Sequence, residues 1–482
     1  MIDLRCRGHE AAYELTNVMN LFIPYISQAL CLETTYDGKQ AEAVLKDEEA
    51  GAVLHVKAYP VKLVGDEIKD KKAMKEALKK SVYDVLVAYT GQTMPWGILT
   101  GIRPTKLVHE VLKQGWNDAQ IDAYLEEAYK VSPNKRLLMR EVAKQELAVL
   151  EKNKPDEISV YIGIPFCPTR CVYCSFTAYS LEQKQKEVEP YLDALFKEIS
   201  FVAKAKEAMH IRSLYIGGGT PTSLNKDQLE RLLTHVESCF DLSQIDEYTI
   251  EAGRPDTITA EKLRIMKEHG VGRISINPQS MNQKTLDAIG RRHGVEDIKE
   301  VFKVAREMGH DNINMDIILG LPEETVEEVA HTLAELKKLG PENITVHTMA
   351  IKRASKLKEA LTSGEEEIHL TEGKKIQEML DLCEKKMTEM GLYPYYMYRQ
   401  KNMLGNFENV GYAKPGTEGI YNIEIMEEAQ SIIALGAGAI TKIVYQNGER
   451  IDRIPNVKSL KDYIERIDEM IERKKEGFVK YQ

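Results

Sequence analysis

Residues 159–176 read SVYIGIPFCPTRCVYCSF, an apolar run followed at once by three cysteines in the spacing CxxxCxxC. The segment Val160–Ile164 is rich in β-branched side chains, which predicts a buried β-strand. Cys167, Cys171 and Cys174 then stand on the loop that leaves this strand. Thiolates are soft ligands for iron, zinc or copper(I), and a loop this short can place all three around one compact inorganic centre. The sequence therefore predicts a strand with a metal-binding loop at its carboxyl end.

The number of cysteines in this loop separates the possible metal centres. A closed structural zinc site takes four protein ligands, and no second Cys or His pair follows at a recognisable distance. A cubic four-iron cluster held by three thiolates instead keeps one iron open to an outside ligand. We expect a [4Fe-4S] cluster with an open iron, and a zinc site completed by a distant residue is the alternative. The other cysteines are scattered and receive no role: Cys6, Cys31, Cys239 and Cys383.

Composition and charge favour a cytoplasmic enzyme. With 7 cysteines in 482 residues and no secretory signal, a disulfide framework is disfavoured. The 65 basic and 75 acidic side chains give a net charge of −10, which does not favour an extended nucleic-acid surface. No apolar run is long enough to cross a bilayer, so we expect no stable membrane insertion.

Short β-branched runs alternate with longer amphipathic stretches through residues 151–390, which is typical of an α/β fold with a parallel sheet built from βα units. The candidate strands are Val160–Ile164, Leu214–Ile216, Tyr248–Glu251, Arg273–Ile276, Ile313–Ile318 and Ile344–His347. Each is followed by a helical pattern such as Asp227–Cys239, whose leucines recur on one face. Six such units predict a partial (β/α)6 barrel, with its chemistry on the loops at the carboxyl ends of the strands.

Two further regions flank the predicted barrel. Residues 1–150 predict an N-terminal α/β plus helical domain, with helices at Ala11–Ile23 and Asp66–Tyr89 and a strand at Ala52–Ala58. Residues 391–482 predict a C-terminal extension with a tyrosine-rich segment suited to the wall of a flat aromatic pocket, and an amphipathic helix over about 459–475. The pocket candidates, for which core packing is the alternative, are Tyr395, Tyr396, Tyr398 and Arg399.

Glycines and carboxylates lie at the predicted strand ends. Gly217–Thr220 follows the second strand and is expected to offer backbone N–H groups without obstruction by side chains; a tight turn is the alternative. Glu251 ends the third strand, where a carboxylate can accept ribose hydroxyls or pair with a cation; a helix cap or a surface ion pair is the alternative. Asp316 lies inside an apolar strand and must find a partner, because an unpaired buried carboxylate costs several kcal/mol; pairing with a neighbouring arginine within the barrel is the alternative to a ligand contact. His347 and Thr348 at the sixth strand end are further candidates for ligand contact.

The cysteine spacing, with an aromatic residue before the third cysteine, resembles the signature of the radical S-adenosylmethionine (SAM) enzymes. The longer string YIGIPFCPTRCVYC is similar to that of the oxygen-independent coproporphyrinogen III oxidase group, and the whole chain resembles its HemZ-type coproporphyrinogen dehydrogenases. The resemblance implies a radical SAM barrel in which the open iron of a [4Fe-4S] cluster binds the amino and carboxylate groups of SAM. Reductive cleavage of SAM then gives a 5′-deoxyadenosyl radical.

The resemblance also implies roles for individual residues. It implies that SAM is contacted by Tyr161, Tyr173, Gly218, Gly219, Thr220, Glu251, Gln279, Arg291 and Asp316, while Cys167, Cys171 and Cys174 hold the cluster. Tyr161 is in addition implied to be catalytic, with core packing as the alternative. The adjacent Arg292 and His293 are alternatives to Arg291.

Two positions depart from the oxidase pattern. That branch carries a further cysteine and a histidine where this chain has Phe176 and Gly163, and a Phe at the first of these positions occurs in relatives that act as haem chaperones. Cleavage of SAM remains compatible with both departures, whereas they put the decarboxylation itself in doubt.

The expected function is the oxygen-independent oxidative decarboxylation of coproporphyrinogen III propionates to the vinyl groups of protoporphyrinogen IX, a step of haem biosynthesis. The resemblance implies two partners, a tetrapyrrole substrate and an electron donor of the reduced flavodoxin or ferredoxin type. Two alternatives remain open, which are another radical reaction on a tetrapyrrole, such as methylating ring opening of haem, and a haem-binding chaperone.

Overall fold

The structure, a computed structural model, describes residues 2–101, 103–174, 178–205, 209–322, 324–349, 373–399, 407–445, 448 and 450–479. The chain divides into two compact units, Met1–Ala143 and Lys144–Gln482. Among the helices of the described residues, none combines the length and the apolar character that a bilayer span requires.

The N-terminal unit is a sheet with helices. Its elements are β1 (Ile2–Arg7), α1 (Ala12–Met19), β2 (Leu30–Tyr36), β3 (Gln40–Asp47), β4 (Val53–Pro60), α2 (Glu67–Thr90), α3 (Thr105–Leu112) and α4 (Asp118–Tyr129), followed by α5 (Pro133–Leu150). The strands lie in the order β1-β2-β3-β4, with β1 parallel to β2 and the other pairs antiparallel. Helix α2 packs on β3 and β4.

The sequence patterns of this unit gave its helices more accurately than its strands. Helix α1 ends at Met19, earlier than the expected Ile23, because Pro24 lacks an N–H and its ring would clash with the preceding helical turn. The strands β1, β2 and β3 were not predicted. Strand β3 buries Ala41, Ala43 and Leu45 with a period of two, and alanine is a weak strand former that hid the pattern.

The second unit carries the remaining elements. Its strands are β5 (Glu157–Ile164), β6 (Phe166–Cys167), β7 (Tyr179–Ser180), β8 (His210–Gly218), β9 (Glu247–Gly253), β10 (Arg273–Ile276), β11 (Ile313–Leu319), β12 (Asn343–Thr348), β13 (Tyr393–Arg399), β14 (Glu408–Ala413), β15 (Ile432–Leu435), β16 (Ile440–Tyr445) and β17 (Arg450–Pro455). Its helices are α6 (Leu181–Lys184), α7 (Val188–Ala205), α8 (Lys226–Cys239), α9 (Ala260–Glu268), α10 (Gln283–Ala288), α11 (Val295–Glu307), α12 (Val326–Leu339), α13 (Gly373–Glu389), α14 (Ile420–Glu427), α15 (Leu460–Glu465) and α16 (Ile467–Val479).

One long sheet organises this unit, in the order β13-β14-β12-β11-β10-β9-β8-β5-β15-β16-β17. From β12 to β5 every neighbouring pair is parallel, and helices connect the successive strands. The prediction of a partial (β/α)6 barrel is confirmed. The C-terminal extension continues the sheet at both edges, because β14 pairs antiparallel with β12 while β15 pairs parallel with β5.

Alternation along each strand separates the barrel interior from the helix layer. In β10, Arg273 and Ser275 line the interior, whereas Ile274 and Ile276 are buried on the opposite face. Residues that share a register position face inward together, as Tyr161 of β5 does with Tyr215 of β8. The sheet therefore gathers inward side chains from strands that are far apart in the sequence.

The predicted C-terminal helix is present as two helices, α15 and α16. The backbone leaves the helical region at Arg466, with φ −116° and ψ 27°. Tyr463 of α15 and Lys474 of α16 both bond to the buried carboxylate of Glu198 on α7, at 2.6 and 2.7 Å. The break lets each segment approach this one carboxylate. The apolar side chains that are buried on these helices include Leu460, Tyr463 and Ile467.

Candidate active site

A cavity of about 600 Å³ lies inside the barrel of the second unit and opens at the carboxyl ends of its strands. The residues that the resemblance implies for the cluster and SAM all line it, namely Tyr161, Cys167, Cys171, Tyr173, Cys174, Gly218, Gly219, Thr220, Glu251, Gln279, Arg291 and Asp316. A volume of this size is typical of pockets that enclose a cofactor or a small substrate. The parallel strands thus bring the expected residues to one place.

The cysteine loop forms one part of the cavity wall. Cys167 lies on β6, and its sulfur is 3.5 Å from Thr220 Oγ1. Arg254 holds the loop by donating to the Thr169 carbonyl at 3.1 Å and to Thr169 Oγ1 at 2.8 Å, and its Nη1 also lies 3.8 Å from the sulfur of Cys171. Polar contacts to ligand sulfurs of this kind adjust the charge and potential of a bound cluster.

The cysteine loop presents three cysteine side chains to the cavity. A closed structural zinc site takes four protein ligands, whereas three thiolates can hold a cubic four-iron cluster with one open iron. All three side chains are free thiols that face the same cavity. The donor set therefore suits a [4Fe-4S] cluster.

Glycines after β8 let the backbone come close to the cysteine loop and to β9. Gly218 has φ +112°, and a Cβ on Gly219 would lie 2.5 Å from the carbonyl oxygen of Phe166. The Gly219 and Thr220 N–H groups donate to the carbonyls of Ile164 and Phe166. Because these N–H groups are used within the protein, this turn offers a ligand its carbonyl oxygens rather than its donors.

Glu251 lies half-buried at the end of β9. It accepts hydrogen bonds from the Tyr215 hydroxyl at 2.5 Å and from the Gly218 N–H at 3.2 Å. Burial raises the pKa of Glu251 to about 7, helped by the nearby charge of Asp316 and opposed by the bond from Tyr215. Near neutral pH this side chain can therefore accept or donate a hydrogen bond.

Gln279 and Arg291 line the cavity and carry buried polar atoms that have no partners among the described residues. Both side chains are 7% exposed. Gln279 Oε1 accepts no hydrogen bond, and of the Arg291 donors only Nη2 is engaged, by the Tyr173 hydroxyl at 2.9 Å. Buried polar atoms are almost always satisfied in native proteins, so these positions indicate a polar ligand. They fit the charged methionyl end of SAM.

The structure separates Arg291 from the two alternatives that adjoin it. Arg291 lines the cavity, whereas Arg292 is exposed and pairs with Glu182 at 2.7 Å. His293 is buried against Asp256 at 3.6 Å and does not line the cavity. Arg291 is thus the member of this run placed to meet a ligand.

Asp316 of β11 finds its partners inside the barrel. The Asn314 amide donates to it at 2.7 Å, and His347 Nε2 lies 3.8 Å away. Although burial disfavours its charge, these neighbours hold the pKa of Asp316 below its usual value. Asp316 is therefore an ionised acceptor at neutral pH. Its direct contacts are Asn314 and His347, and the charge of Arg273 favours its ionised form without a hydrogen bond.

Three stacked tyrosines form an aromatic wall. The rings of Tyr161, Tyr215 and Tyr421 are nearly parallel, with centroids 4.5 Å apart for Tyr215 and Tyr421 and 6.0 and 6.3 Å for the pairs with Tyr161. Burial raises the pKa of Tyr161, so its phenol stays protonated at neutral pH. Tyr215 lies at an inward position of a predicted strand and could have been found by alternation, whereas Tyr421 gave no signal in the sequence.

The tyrosine-rich segment divides between the cavity and the core. Tyr396 and Tyr398 line the cavity, and so do His347 and Thr348 of β12. Tyr395 is instead packed in a core cluster, and Arg399 does not line the cavity. Phe176 lies outside the described residues. Other cavity residues that sequence reasoning missed are Arg273, Asn277, Asn409, Asn422 and Lys442.

Comparisons with known proteins agree with this site. Residues 161–336 match the model of the radical SAM superfamily. The oxygen-independent coproporphyrinogen-III oxidase-like protein HemZ of Bacillus subtilis is 40% identical over 474 residues, which are 95% of this chain and 94% of that protein. The heme chaperone HemW of the same organism is 33% identical over 64% of this chain and 76% of its own.

A solved structure agrees with the barrel as well. The coproporphyrinogen III oxidase HemN from Escherichia coli, described as a radical SAM enzyme, superposes with a TM-score of 0.53 at 25% identity. The match covers 68% of this chain and 73% of HemN. The chain belongs to the radical SAM superfamily, whose cofactors are a [4Fe-4S] cluster and SAM, and within it to the family of the oxygen-independent coproporphyrinogen-III oxidase-like proteins.

Proposed function

We propose that the protein catalyses the oxygen-independent oxidative decarboxylation of coproporphyrinogen III propionates to vinyl groups. The observation that carries the proposal is that the cysteine loop and the unpartnered buried atoms of Gln279 and Arg291 line one cavity with an aromatic wall. The similarity to HemZ over almost the whole chain and to HemN in the barrel supports the substrate class.

The chain's own residues would bind the cofactors at the mouth of the barrel. Cys167, Cys171 and Cys174 would hold the cluster, and the two cofactors together supply a one-electron cleavage of SAM to methionine and a 5′-deoxyadenosyl radical. The free N–H groups of Arg291 suit the methionyl carboxylate, and Gln279 Oε1 suits its ammonium group. Two half-buried carboxyl groups remain for other parts of SAM.

Glu251 and Asp316 would contact these other parts of SAM. Glu251, with a pKa of about 7, suits a ribose hydroxyl because it can accept or donate a hydrogen bond. Asp316 is an ionised acceptor held by Asn314, and it lies nearer to β12. Tyr173 bonds to Arg291 and keeps its guanidinium directed along the cavity wall.

The proposed reaction balances with one external electron acceptor. A donor of the reduced flavodoxin or ferredoxin type would supply one electron to the cofactors. With that electron the cofactors would provide the chemistry that removes a hydrogen atom from the propionate β-carbon, with 5′-deoxyadenosine as the by-product. The substrate radical loses carbon dioxide as its carbon–carbon bond breaks, a vinyl double bond forms, and one electron leaves to the acceptor.

The aromatic wall would protect this radical chemistry. Tyr161, Tyr215 and Tyr421 present flat, apolar surface beside the reacting region, and Tyr396 and Tyr398 add to it on the far edge of the sheet. Flat rings suit a tetrapyrrole, and apolar surface displaces water from a reactive intermediate. We propose Tyr161 as the wall residue that meets the reacting groups.

The test is an anaerobic incubation of the reconstituted protein with coproporphyrinogen III, SAM and a low-potential reductant. Vinyl products together with 5′-deoxyadenosine are expected. Deoxyadenosine without decarboxylation would reject the substrate but keep the radical chemistry. Cys171→Ser should lose both products with the cluster's visible absorbance, whereas Cys239→Ser, at the end of α8 and outside the cavity lining, should keep them.

A second candidate, haem binding and transfer, is favoured by the 33% identity to a heme chaperone. It predicts that one haem is bound and passed on per protein, with no product from coproporphyrinogen. Incubation with haem under the same conditions distinguishes the two candidates, and a linear methylated product by mass spectrometry would instead indicate ring opening.

A further inference from the structure

Arg273 is a buried cation inside the barrel that the cofactor site does not use. It is 2% exposed, begins β10 and lines the cavity. Its Nε and Nη2 atoms have no hydrogen-bond partner among the described residues, and within that part of the chain its guanidinium forms no ion pair. Buried N–H donors are almost always hydrogen-bonded in native proteins, so a partner is expected from outside the chain.

The nearby carboxylates are already engaged by other donors. Glu247, whose charge acts on Arg273, accepts from Thr249 Oγ1 at 2.9 Å and from the backbone N–H groups of Ile420 and Tyr421. Glu251 and Asp316, which also act on it electrostatically, have the partners described above. Arg273 is therefore near negative charge, while the donors on Nε and Nη2 stay free.

The other cations of the cavity wall have different positions or partners. Arg254 pairs with Asp256 at 2.6 Å, and Lys442 pairs with Glu428 at 3.0 Å. Arg170 is part of the cysteine loop, and Arg291 bonds to Tyr173 beside it. Of these described cations, Arg273 is thus the one that lies away from the cysteine loop and has N–H donors without a partner.

Arg273 lies deeper in the barrel than the residues proposed to bind the cofactors. Gln279 follows the carboxyl end of β10, whereas Arg273 stands at the start of the strand, about 10 Å lower at about 3.3 Å per residue. Around this floor lie Tyr421, Asn422 and the apolar side chains of Ile425 and Met426 of α14. A carboxylate on a short flexible arm would reach the guanidinium while the ring that bears it stays above.

We propose that Arg273, which lines the cavity, binds a carboxylate of the substrate, of the propionate type, through its guanidinium group. The identity of that substrate rests on the proposed function, but the carboxylate preference follows from the guanidinium itself. A planar fork of N–H donors matches the two oxygens of a carboxylate. Arg273 would then select acidic tetrapyrroles and orient them in the barrel.

The experiment measures equilibrium binding of coproporphyrin III and of its uncharged tetraamide to the full chain by fluorescence. The wild type should prefer the acid, and Arg273→Gln should bind the acid about 10- to 100-fold more weakly while binding of the tetraamide changes little. Arg273→Lys should recover part of the preference. Arg264→Gln, an exposed arginine of α9 paired with Glu268, is the matched control and should behave as wild type.

A structural role makes a different prediction. If Arg273 only balances Glu247, Arg273→Gln will lower the melting temperature and weaken the acid and the tetraamide equally, which overturns the inference. If the wild type binds neither porphyrin, the proposed substrate is wrong. The inference about Arg273 is then tested separately with millimolar propionate. Propionate, but not propionamide, should raise the melting temperature of the wild type and not of Arg273→Gln; equal effects on both proteins would overturn it.

Discussion

Tyr215 donates a 2.5 Å hydrogen bond to Glu251, and both side chains lie inside the barrel. The bond favours the ionised carboxylate, which burial opposes. Tyr215 belongs to β8 and Glu251 to the neighbouring β9. The protonation of Glu251 therefore depends on how these two strands pack.

This relationship predicts a pH-dependent stability. The pKa of Glu251 is raised from its ordinary 4.5 to about 7, so its contribution to the unfolding free energy falls as the pH rises through that range. Tyr215→Phe removes a donor to the ionised form and moves this pKa higher still. The variant should therefore lose about 1–2 kcal/mol more at pH 8 than at pH 5 by urea unfolding without SAM.

The matched control for this prediction is Tyr248→Phe. Tyr248 is a buried tyrosine of β9 whose hydroxyl has no hydrogen-bond partner among the described residues. Its loss of stability should be the same at both pH values. Equal losses for Tyr215→Phe at pH 5 and pH 8 would contradict the assigned link to Glu251.

The neighbouring arginines Arg291 and Arg292 provide a paired test of the SAM site. Arg291→Gln removes buried donors that face the cavity and should weaken SAM binding about 10- to 100-fold. Arg292→Gln alters an exposed ion pair with Glu182 and should leave the affinity unchanged. Calorimetric titration of SAM into the cluster-loaded proteins measures both, and similar affinities for the two variants would argue against Arg291.

Arg254 should adjust the potential of the cluster. Its guanidinium lies 3.8 Å from the sulfur of Cys171, and a positive charge favours the reduced cluster. Arg254→Gln should lower the midpoint potential, by about 40 mV for each ~1 kcal/mol of lost stabilisation. Arg254→Lys keeps the charge and should lie closer to the wild type. Redox titration followed by electron paramagnetic resonance gives the values, and an unchanged potential in Arg254→Gln would show that the contact has no electrostatic effect.

The ion pair between Lys474 and Glu198 should carry much of the stability of the C-terminal helices. Both side chains are 0% exposed and 2.7 Å apart. Lys474→Met leaves a buried carboxylate without its cation and should cost about 3–5 kcal/mol in urea unfolding. Lys475→Met, next in the chain but exposed, should change the stability by less than about 0.5 kcal/mol. Equal effects of the two substitutions would rule out the special role of the buried pair.

The barrel and its strand-end residues were predictable because their signals are local. Apolar β-branched runs gave the positions of the parallel strands, and such strands place their carboxyl ends at one edge. Glu251, Gln279 and Asp316 are therefore close in space although helices separate them in the sequence. Side chains alternate between the two faces of a strand, so inward positions further from the carboxyl ends can be predicted in the same way. Tyr215 and Arg273 occupy such positions.

Other features depend on pairings that no local pattern reveals. Tyr421 and Lys442 enter the cavity only because the C-terminal segment returns to the sheet and pairs β15 with β5. The choice between Arg291 and Arg292 depends on the direction of the turn after α10. The break between α15 and α16 likewise follows from two side chains that share Glu198.

The place of β15 beside β5 has a consequence for how the protein matures. The strand that leads into the cysteine loop keeps one row of unpaired backbone groups until residues 432–435 have left the ribosome. We therefore expect iron and sulfur to enter the finished binding loop only after this segment has been made. A chain that ends before this segment would leave one edge of β5 unpaired. We expect such a chain to aggregate rather than to be partly active.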